Sequence, residues 1–208
     1  MTNTGLTAKG AATRERIVEA AADLILARGA AGTSLDDIRG ETSTSKSQLF
    51  HYFPGGKSEL VHAIVACQGE RVLAAQRPVI DQLDSWKAWR AWRDLVLAYY
   101  GQGEAGAGCP IGSLANELAA SDPEIRRQTE AFFEQWQAYL ERGLRTMQQQ
   151  GDLRADANPA ELAQATLASL QGGLVLTQTA RSLRPLEIAL DAALAYLGIW
   201  STGRPAGA

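Results

Sequence analysis

Apolar residues return every three or four positions along most of this chain, which is the period of an amphipathic helix. The stretch from 13 to 29, TRERIVEAAADLILARG, places Ile17, Leu24 and Ile25 on one face and ends at Gly29. The same reasoning predicts eight further helices, at about 34–40, 45–53, 57–76, 81–100, 110–120, 121–151, 159–182 and 185–200. Since no stretch alternates cleanly with the period of a strand, the pattern predicts an all-α fold.

The composition strengthens this prediction. The 208 residues include 36 Ala and 25 Leu, which favour helices, against 7 Val and 9 Ile, which favour strands. A net charge of −3 with 46% hydrophobic residues excludes a polycation that binds nucleic acid by net charge alone, and it excludes a disordered chain. No apolar run is long enough to span a membrane and the first residues are polar, so we expect a soluble cytoplasmic protein without a membrane partner.

The segment from 34 to 53 has the pattern of a helix-turn-helix. It predicts two short helices joined by about four residues, and Ser45 with Gln48 forms a capping box at the start of the second helix. From Thr42 to Ser58 the chain contains no Asp or Glu, as a surface that meets the DNA polyanion requires. The alternative from composition alone is a polar surface turn between core helices.

Residues 13–60 resemble the N-terminal DNA-binding domain of the TetR family of transcriptional regulators. The matching features are an Ala-rich first helix that ends at Arg28-Gly29, Thr33 before the second helix, and Ile38 in the core of that helix. The sequence SKSQLFHYF at 45–53 then matches the recognition helix. Two further segments, FPGGK at 53–57 and CPIGSLANE at 109–117, resemble the LmrA/YxaF-like branch of this family.

The resemblance implies nine helices in two domains, a DNA-binding domain at 1–56 and an effector-binding and dimerisation domain at 57–208. It also implies that recognition-helix residues face bases while Tyr52 and Lys57 hold phosphates. The candidate DNA contacts are Thr33, Thr44, Ser45, Lys46, Gln48, His51, Tyr52 and Lys57. The chain departs from the family in the turn, which reads Thr42-Ser43-Thr44 where members often have Ala-Gly-Val. A Ser that adopts a positive φ costs about 1 kcal/mol.

Aromatic residues follow helical spacing on the predicted fifth and seventh helices. Such stripes are either core or the wall of a pocket for a flat apolar effector, and the resemblance raises the second interpretation. The candidate pocket residues are Trp89, Trp92, Val96, Tyr99, Phe132, Trp136 and Tyr139. Arg93 is the nearest cation in the sequence, which favours a neutral or anionic ligand.

The last two predicted helices are rich in leucine and form the candidate dimer interface, as the resemblance implies for a homodimer. Two adjacent glycines inside a helix cost stability unless they let another backbone approach closely. The candidate interface residues are Leu170, Gly172, Gly173, Leu190 and Leu194. A core within one chain is the alternative, and both hold if different faces are used.

Three patterns that resemble enzyme or sensor motifs have simpler interpretations. Gly101-x-Gly103-x-x-Gly106 follows a helix rather than a strand, so it predicts a linker instead of a dinucleotide site. Glu59-x-x-His62 is half of a di-iron motif, but the chain has two His and no second copy. Cys109 is either a redox-sensing thiol or a small packed residue.

We therefore expect no enzymatic activity, no metal and no cofactor. The sequence instead predicts a ligand-responsive transcriptional regulator, a repressor of a palindromic operator. The alternative function is an all-α small-molecule-binding protein or enzyme whose N-terminal helices bind no DNA.

Overall fold

A computed structural model of the protein describes residues 6–102 and 108–203. Within these ranges the regular structure is helical apart from one isolated bridge between Leu153 and Ser201, and the all-α prediction is confirmed. The helices are α1 (Ala8–Arg28), α2 (Leu35–Thr42), α3 (Lys46–Tyr52), α4 (Gly56–Ala74), α5 (Trp86–Gly101), α6 (Pro110–Leu118), α7 (Pro123–Gln150), α8 (Pro159–Ala180) and α9 (Arg184–Gly198). A short 3-10 helix, Val79–Gln82, lies between α4 and α5.

Two predicted helix starts are wrong. Helix α1 begins five residues before Thr13, because the Thr7 hydroxyl accepts the backbone N–H of Gly10 at 3.2 Å and caps the helix there. Helix α5 begins at Trp86 rather than Asp81, because Ser85 accepts the N–H of Ala88 at 3.3 Å. In both places a side-chain cap sets the boundary, and the apolar period does not reveal it.

The first of two compact units contains residues up to 71 together with 110–129. Helices α1 to α3, most of α4, α6 and the start of α7 belong to it. Its core consists of fully or nearly fully buried apolar side chains: Ile17, Ala21, Ile25, Ile38, Leu49, Phe53, Leu60, Ile64, Ile111, Leu114 and Ile125. The predicted domain boundary at 56/57 does not coincide with the boundary of this compact unit, and as a division between functions it stays a prediction.

The second unit contains residues 72–109 and those from 130 onward. Its core is larger and more aromatic: Trp89, Trp92, Val96, Trp136, Leu140, Leu144, Leu170, Leu174, Leu186, Leu190 and Leu197. Helices α8 and α9 pack closely at Gly173, where an added Cβ would lie 2.9 Å from Ala189 Cβ and 3.1 Å from Leu186 Cα. Glycine therefore permits the close approach that the sequence predicted, here between two helices of one chain.

Across the described residues, we find no helix that combines the length and the apolar character needed to cross a membrane.

Candidate functional site

Helix α2, which leads into the turn before α3, has a defined cap at each of its ends. At the start of α2, Ser34 Oγ accepts the N–H of Asp37 at 3.1 Å and the Asp37 carboxylate accepts the Ser34 N–H at 2.8 Å. Hydrogen bonds from the Ser34 hydroxyl and then its backbone lower the pKa of Asp37. Ser43 ends α2 in the left-handed region, at φ +50°, which confirms the strained position predicted for this turn.

Helix α3 presents a polar face and is anchored by one apolar side chain. Ser45 and Gln48 form the predicted capping box, since each accepts the other's backbone N–H at 3.1 Å. Leu49 is fully buried and fixes the helix against the core. Lys46 and His51 are exposed on this helix. This arrangement offers cations, amides and hydroxyls to a ligand without a carboxylate on α3.

The structure divides the predicted DNA contacts into two groups. The exposed group is Ser45, Lys46, Gln48 and His51, beside the half-buried Tyr52, whose ring meets the His51 ring edge-on at 5.1 Å. Thr33 and Thr44 are 0% and 5% exposed, and their hydroxyls donate to the carbonyls of Gly29 and Thr42. The expectation that these two threonine side chains meet DNA directly is therefore corrected, because they support the fold from inside.

Lys57 also differs from its expected role. Its side chain is half-buried, and its ammonium donates a hydrogen bond to the carbonyl of Ala30, in the turn between α1 and α2. A lysine that holds a backbone carbonyl in its own chain is committed to positioning that backbone. The phosphate contact that the resemblance implied for this residue would require the bond to open.

Sequence reasoning missed Arg39, which lines a shallow depression with Gly40, Ser43 and Ser45 beside α3. Its guanidinium is 2.5 Å from the carboxylate of Asp36, one helical turn earlier on α2. The i, i+3 spacing of these opposite charges was a signal for this pair. Asp36 lines the same depression, so the pair brings a carboxylate as well as a cation to the surface beside α3.

In the second unit the candidate pocket aromatics form a packed core. Trp89, Trp92 and Trp136 are fully buried. Gln76 Oε1 accepts the indole N–H of Trp92 at 2.8 Å and that of Trp136 at 3.2 Å. Sequence reasoning did not identify Gln76, although it sits near the predicted end of the fourth helix. One polar side chain thus binds the rings of Trp92 and Trp136, while the indole N–H of Trp89 donates to the carbonyl of Leu83 at 3.2 Å.

The other candidate pocket residues lie in different surroundings. Val96 and Phe132 are buried, and Phe132 meets Trp136 with ring centroids 5.6 Å apart. Tyr99 is 36% exposed. The hydroxyl of Tyr139 accepts a hydrogen bond from Arg77 at 2.6 Å, so this hydroxyl already has a partner within the protein. The structure does not bring all seven residues to one cavity.

An open cleft of about 580 Å³ lies between α5 and α9. Trp86 and Trp89 line it together with Arg93. The guanidinium of Arg93 is 2.8 Å from Asp191 and 2.9 Å from Asp94, and the hydrogen bond to Asp94 is the main reason that its pKa is raised. Arg93 was expected to favour a neutral or anionic ligand; because carboxylates neutralise it, the anionic part of that expectation is corrected and the neutral part stays a prediction.

The residues predicted to form the dimer interface also differ in burial. Leu170, Gly173 and Leu190 are buried between α8 and α9, whereas Gly172 is exposed with nothing near its missing Cβ. Leu194 is half-buried and lines the α5–α9 cleft. Five large apolar side chains are exposed instead and define what we name the α8–α9 apolar face: Val175, Leu176, Ile188, Tyr196 and Ile199.

Ser58, His62 and Asp122 meet, but not in the order of a catalytic triad. Nε2 of His62 is 3.2 Å from Oδ2 of Asp122, and the Ser58 hydroxyl is 3.5 Å from the same oxygen. A nucleophile must contact its base, whereas here the serine and the histidine share a carboxylate oxygen. The remaining oxygen of Asp122 caps α7 by accepting the N–H groups of Glu124 and Ile125.

The other enzyme-like patterns do not build a site in the part of the chain that the structure describes. Those residues contain no cluster of three His, Cys, Asp or Glu side chains that could hold a metal ion. Cys109 is 4% exposed. The Gly-rich match extends through residues 103–106, which lie outside the described ranges.

Comparison with known proteins identifies both halves of the chain. The family described as "Bacterial regulatory proteins, tetR family" matches residues 17–64, and "Tetracyclin repressor-like, C-terminal domain" matches residues 88–193. An HTH-type transcriptional regulator from the lacX 3' region of Lactococcus lactis subsp. lactis is 30% identical, over 86% of this chain and 90% of its own.

Two further relatives resemble this chain, one found by sequence and one by structure. The transcriptional regulator LmrA of Bacillus subtilis is 28% identical over 83% of this chain and 90% of its own length. A TetR transcriptional regulator from Chloroflexus aurantiacus has a TM-score of 0.83 at 25% identity, over 94% of this chain and 98% of its own. Taken with the helix-turn-helix geometry, these matches show that the chain belongs to the TetR family of bacterial transcriptional regulators.

Proposed function

We propose that this regulator is a repressor that binds a palindromic operator as a homodimer and is released by a small planar apolar effector. The observation that carries the proposal is the exposed face of α3, which offers Lys46, Gln48 and His51 beside a fixed turn. Cations and amides are the groups that hydrogen-bond phosphates and the edges of bases in the major groove. Because operator DNA is chromosomal, we propose that the protein acts in the cytoplasm.

The homodimer is supported by the α8–α9 apolar face. Leu176 is 59% exposed and Ile188 is 52% exposed, and side chains of this size are seldom exposed together on a monomer. A second copy supplies the matching surface, because a two-fold interface pairs a face with itself. Two copies place two α3 helices on successive major grooves, roughly 34 Å apart.

We place the effector site of this proposal in the α5–α9 cleft. The α5–α9 cleft is open to solvent, and its half-buried Trp86 ring offers a flat surface at low entropic cost. A planar apolar compound suits this ring, while the paired charges around Arg93 border the same cleft. Such a ligand releases DNA if it binds more tightly to the conformation whose α3 helices no longer match the grooves.

The test combines DNA binding with tryptophan fluorescence. The protein is titrated into a labelled duplex from the intergenic region upstream of its own gene, and then with planar aromatic compounds. We expect one compound class to quench tryptophan emission and release the duplex over the same concentration range, and we expect Trp86→Ala to weaken both effects equally. Equal affinity for this duplex and for mixed-sequence DNA would favour a small-molecule-binding protein or enzyme that binds no operator.

A further inference from the structure

Glu117 on α6 binds the turn that joins α1 to α2. One carboxylate oxygen accepts the backbone N–H of Ala30 at 2.8 Å, and the other accepts the N–H of Ala31 at 2.5 Å. These amides directly follow Gly29, which ends α1 at φ +76°. An added Cβ on Gly29 would lie 3.3 Å from the carboxylate, so the glycine leaves room for this approach.

The same turn is held from its other side by α4. The ammonium of Lys57 donates to the carbonyl of Ala30, so residue 30 is bound at its N–H by an anion and at its C=O by a cation. The buried hydroxyl of Thr33 donates to the carbonyl of Gly29 at 2.9 Å. Hydrogen bonds with one charged partner are stronger than neutral ones, and two of them converge on the peptide unit between Ala30 and Ala31, whose C=O binds Lys57 and whose N–H binds Glu117.

The position of the α1–α2 turn determines where α2 begins, and the position of α2 determines where α3 lies. Ser34 caps α2 three residues after Ala31, and Arg16 on α1 donates at 2.5 Å to the carbonyl of Thr42 at the other end of α2. The start of α2 therefore follows a turn that α4 and α6 hold, and Arg16 of α1 binds its other end. A shift of the turn would move the α2–α3 pair relative to the rest of the unit.

We propose that Glu117 is a positioning residue for operator binding, acting on DNA only through the α1–α2 turn. This inference rests on the proposed function, since it assumes that α3 reads an operator. It predicts a loss of sequence-specific binding, because specific contacts depend on where α3 lies. Non-specific attraction depends on charge and salt and is insensitive to this placement.

The sign of the charge effect makes the test discriminating. Glu117→Gln removes one negative charge, and that change alone strengthens the attraction to a polyanion. The positioning role predicts the opposite result for the operator, because the amide keeps one acceptor oxygen and turns an N–H₂ donor toward the second backbone N–H. The matched control is Glu70→Gln, which removes one negative charge from an exposed residue of α4.

The experiment uses the full chain and an operator selected by the wild-type protein from random duplexes. Dissociation constants for the operator and for mixed-sequence DNA are measured for wild type, Glu117→Gln and Glu117→Ala at one salt concentration. Since two charge-assisted bonds are weakened or lost, we expect about tenfold weaker operator binding. Mixed-sequence binding should not weaken, and the lost negative charge should tighten it slightly, as it does in Glu70→Gln. Glu70→Gln should leave the ratio of the two constants unchanged.

Amide hydrogen exchange of Ala30 and Ala31 in the DNA-free protein supplies the second readout. We expect both amides to be protected in wild type and to exchange faster in both Glu117 variants. Wild-type-like operator affinity in Glu117→Gln, or unprotected amides in the wild type, would overturn the positioning role. If Glu117→Ala does not fold, the nearly isosteric Gln variant decides the question. Failure of the wild type to select any operator would instead overturn the proposed function.

Discussion

Lys46 and Lys57 lie in the same carboxylate-free window, but their surroundings assign them different roles. Lys46 is exposed on α3. The ammonium of Lys57 is already bound to the carbonyl of Ala30. The sequence showed two cations at positions typical of DNA contacts, but it could not show that a carbonyl 27 residues earlier would capture one of them.

The two lysines should therefore differ in the salt dependence of DNA binding. Lys46→Ala should weaken binding to all sequences and reduce the slope of log affinity against log salt by about one, as loss of one phosphate contact does. Lys57→Ala should leave that slope unchanged, because its charge is used inside the protein. Anisotropy titrations at several salt concentrations measure both slopes. A reduced slope for Lys57→Ala with an unchanged slope for Lys46→Ala would reverse these roles.

Gln76 should be a strong determinant of stability. Gln76→Met keeps the volume but removes the oxygen that accepts from Trp92 and Trp136, leaving two buried indole N–H groups without that acceptor. We expect a loss of about 2–4 kcal/mol in the free energy of unfolding, measured with urea, because each unsatisfied buried donor costs about 1–3 kcal/mol. Gln82→Met, at an exposed position, is the control. Equal stability of the two variants would show that the buried bonds contribute little.

At the scale of whole elements, the apolar period predicted each helix but not every boundary or face. Helix α1 starts at a cap that precedes its apolar stripe, so the periodic signal begins late. An apolar stripe also indicates which residues of a helix are buried, but it does not indicate which other element they pack against. Trp92 and Trp136 form a core with Gln76, and Leu170 packs inside the chain, because the partner of each stripe is set by tertiary packing.

The two adjacent glycines of α8 give a matched test of that packing. Gly173→Ala places a methyl group 2.9 Å from Ala189 Cβ, and we expect it to destabilise the protein by about 1–3 kcal/mol through overpacking. At Gly172 a Cβ meets nothing within 4 Å, so Gly172→Ala should stabilise α8 by up to about 1 kcal/mol. Thermal and urea unfolding measure both changes. Similar stability of the two variants would contradict the close approach of α8 and α9.

The cap of α7 should make part of the stability depend on pH. Backbone hydrogen bonding at Ile125, aided by His62 and Ser58, lowers the pKa of Asp122 below its ordinary value of 3.8. Its contribution is therefore present above that ordinary value and is lost as the pH falls through the lowered pKa of the folded state. Asp122→Ala should destabilise the protein at neutral pH, and the difference from wild type should shrink in acid.

Melting curves at a series of pH values measure this difference. Asp23→Ala, which removes an exposed carboxylate from α1, is the control and should change stability little at any pH. A difference for Asp122→Ala that stays constant down to the acid limit of folding would show that the carboxylate does not act through its charge.

At the scale of the whole molecule, DNA affinity depends on placement and pairing rather than on net charge. The first 71 residues contain 8 Lys and Arg against 8 Asp and Glu, so this part of the chain has no broad positive field. A single α3 helix has seven residues with which to contact DNA. In the proposed dimer, two copies joined through the α8–α9 apolar face would double that contact surface, which is why dimerisation belongs to the proposed mechanism.

The symmetry of the selected operator shows whether paired α3 helices read DNA. Wild-type protein and Leu176→Glu, which puts a charge on the α8–α9 apolar face, each select binding sites from random duplexes. For wild type we expect two inverted half-sites whose centres lie one helical turn, about 10 bp, or a multiple of it apart. For Leu176→Glu we expect no enriched palindrome. An asymmetric wild-type site, or the same palindrome from both proteins, would contradict a dimer that reads DNA through paired α3 helices.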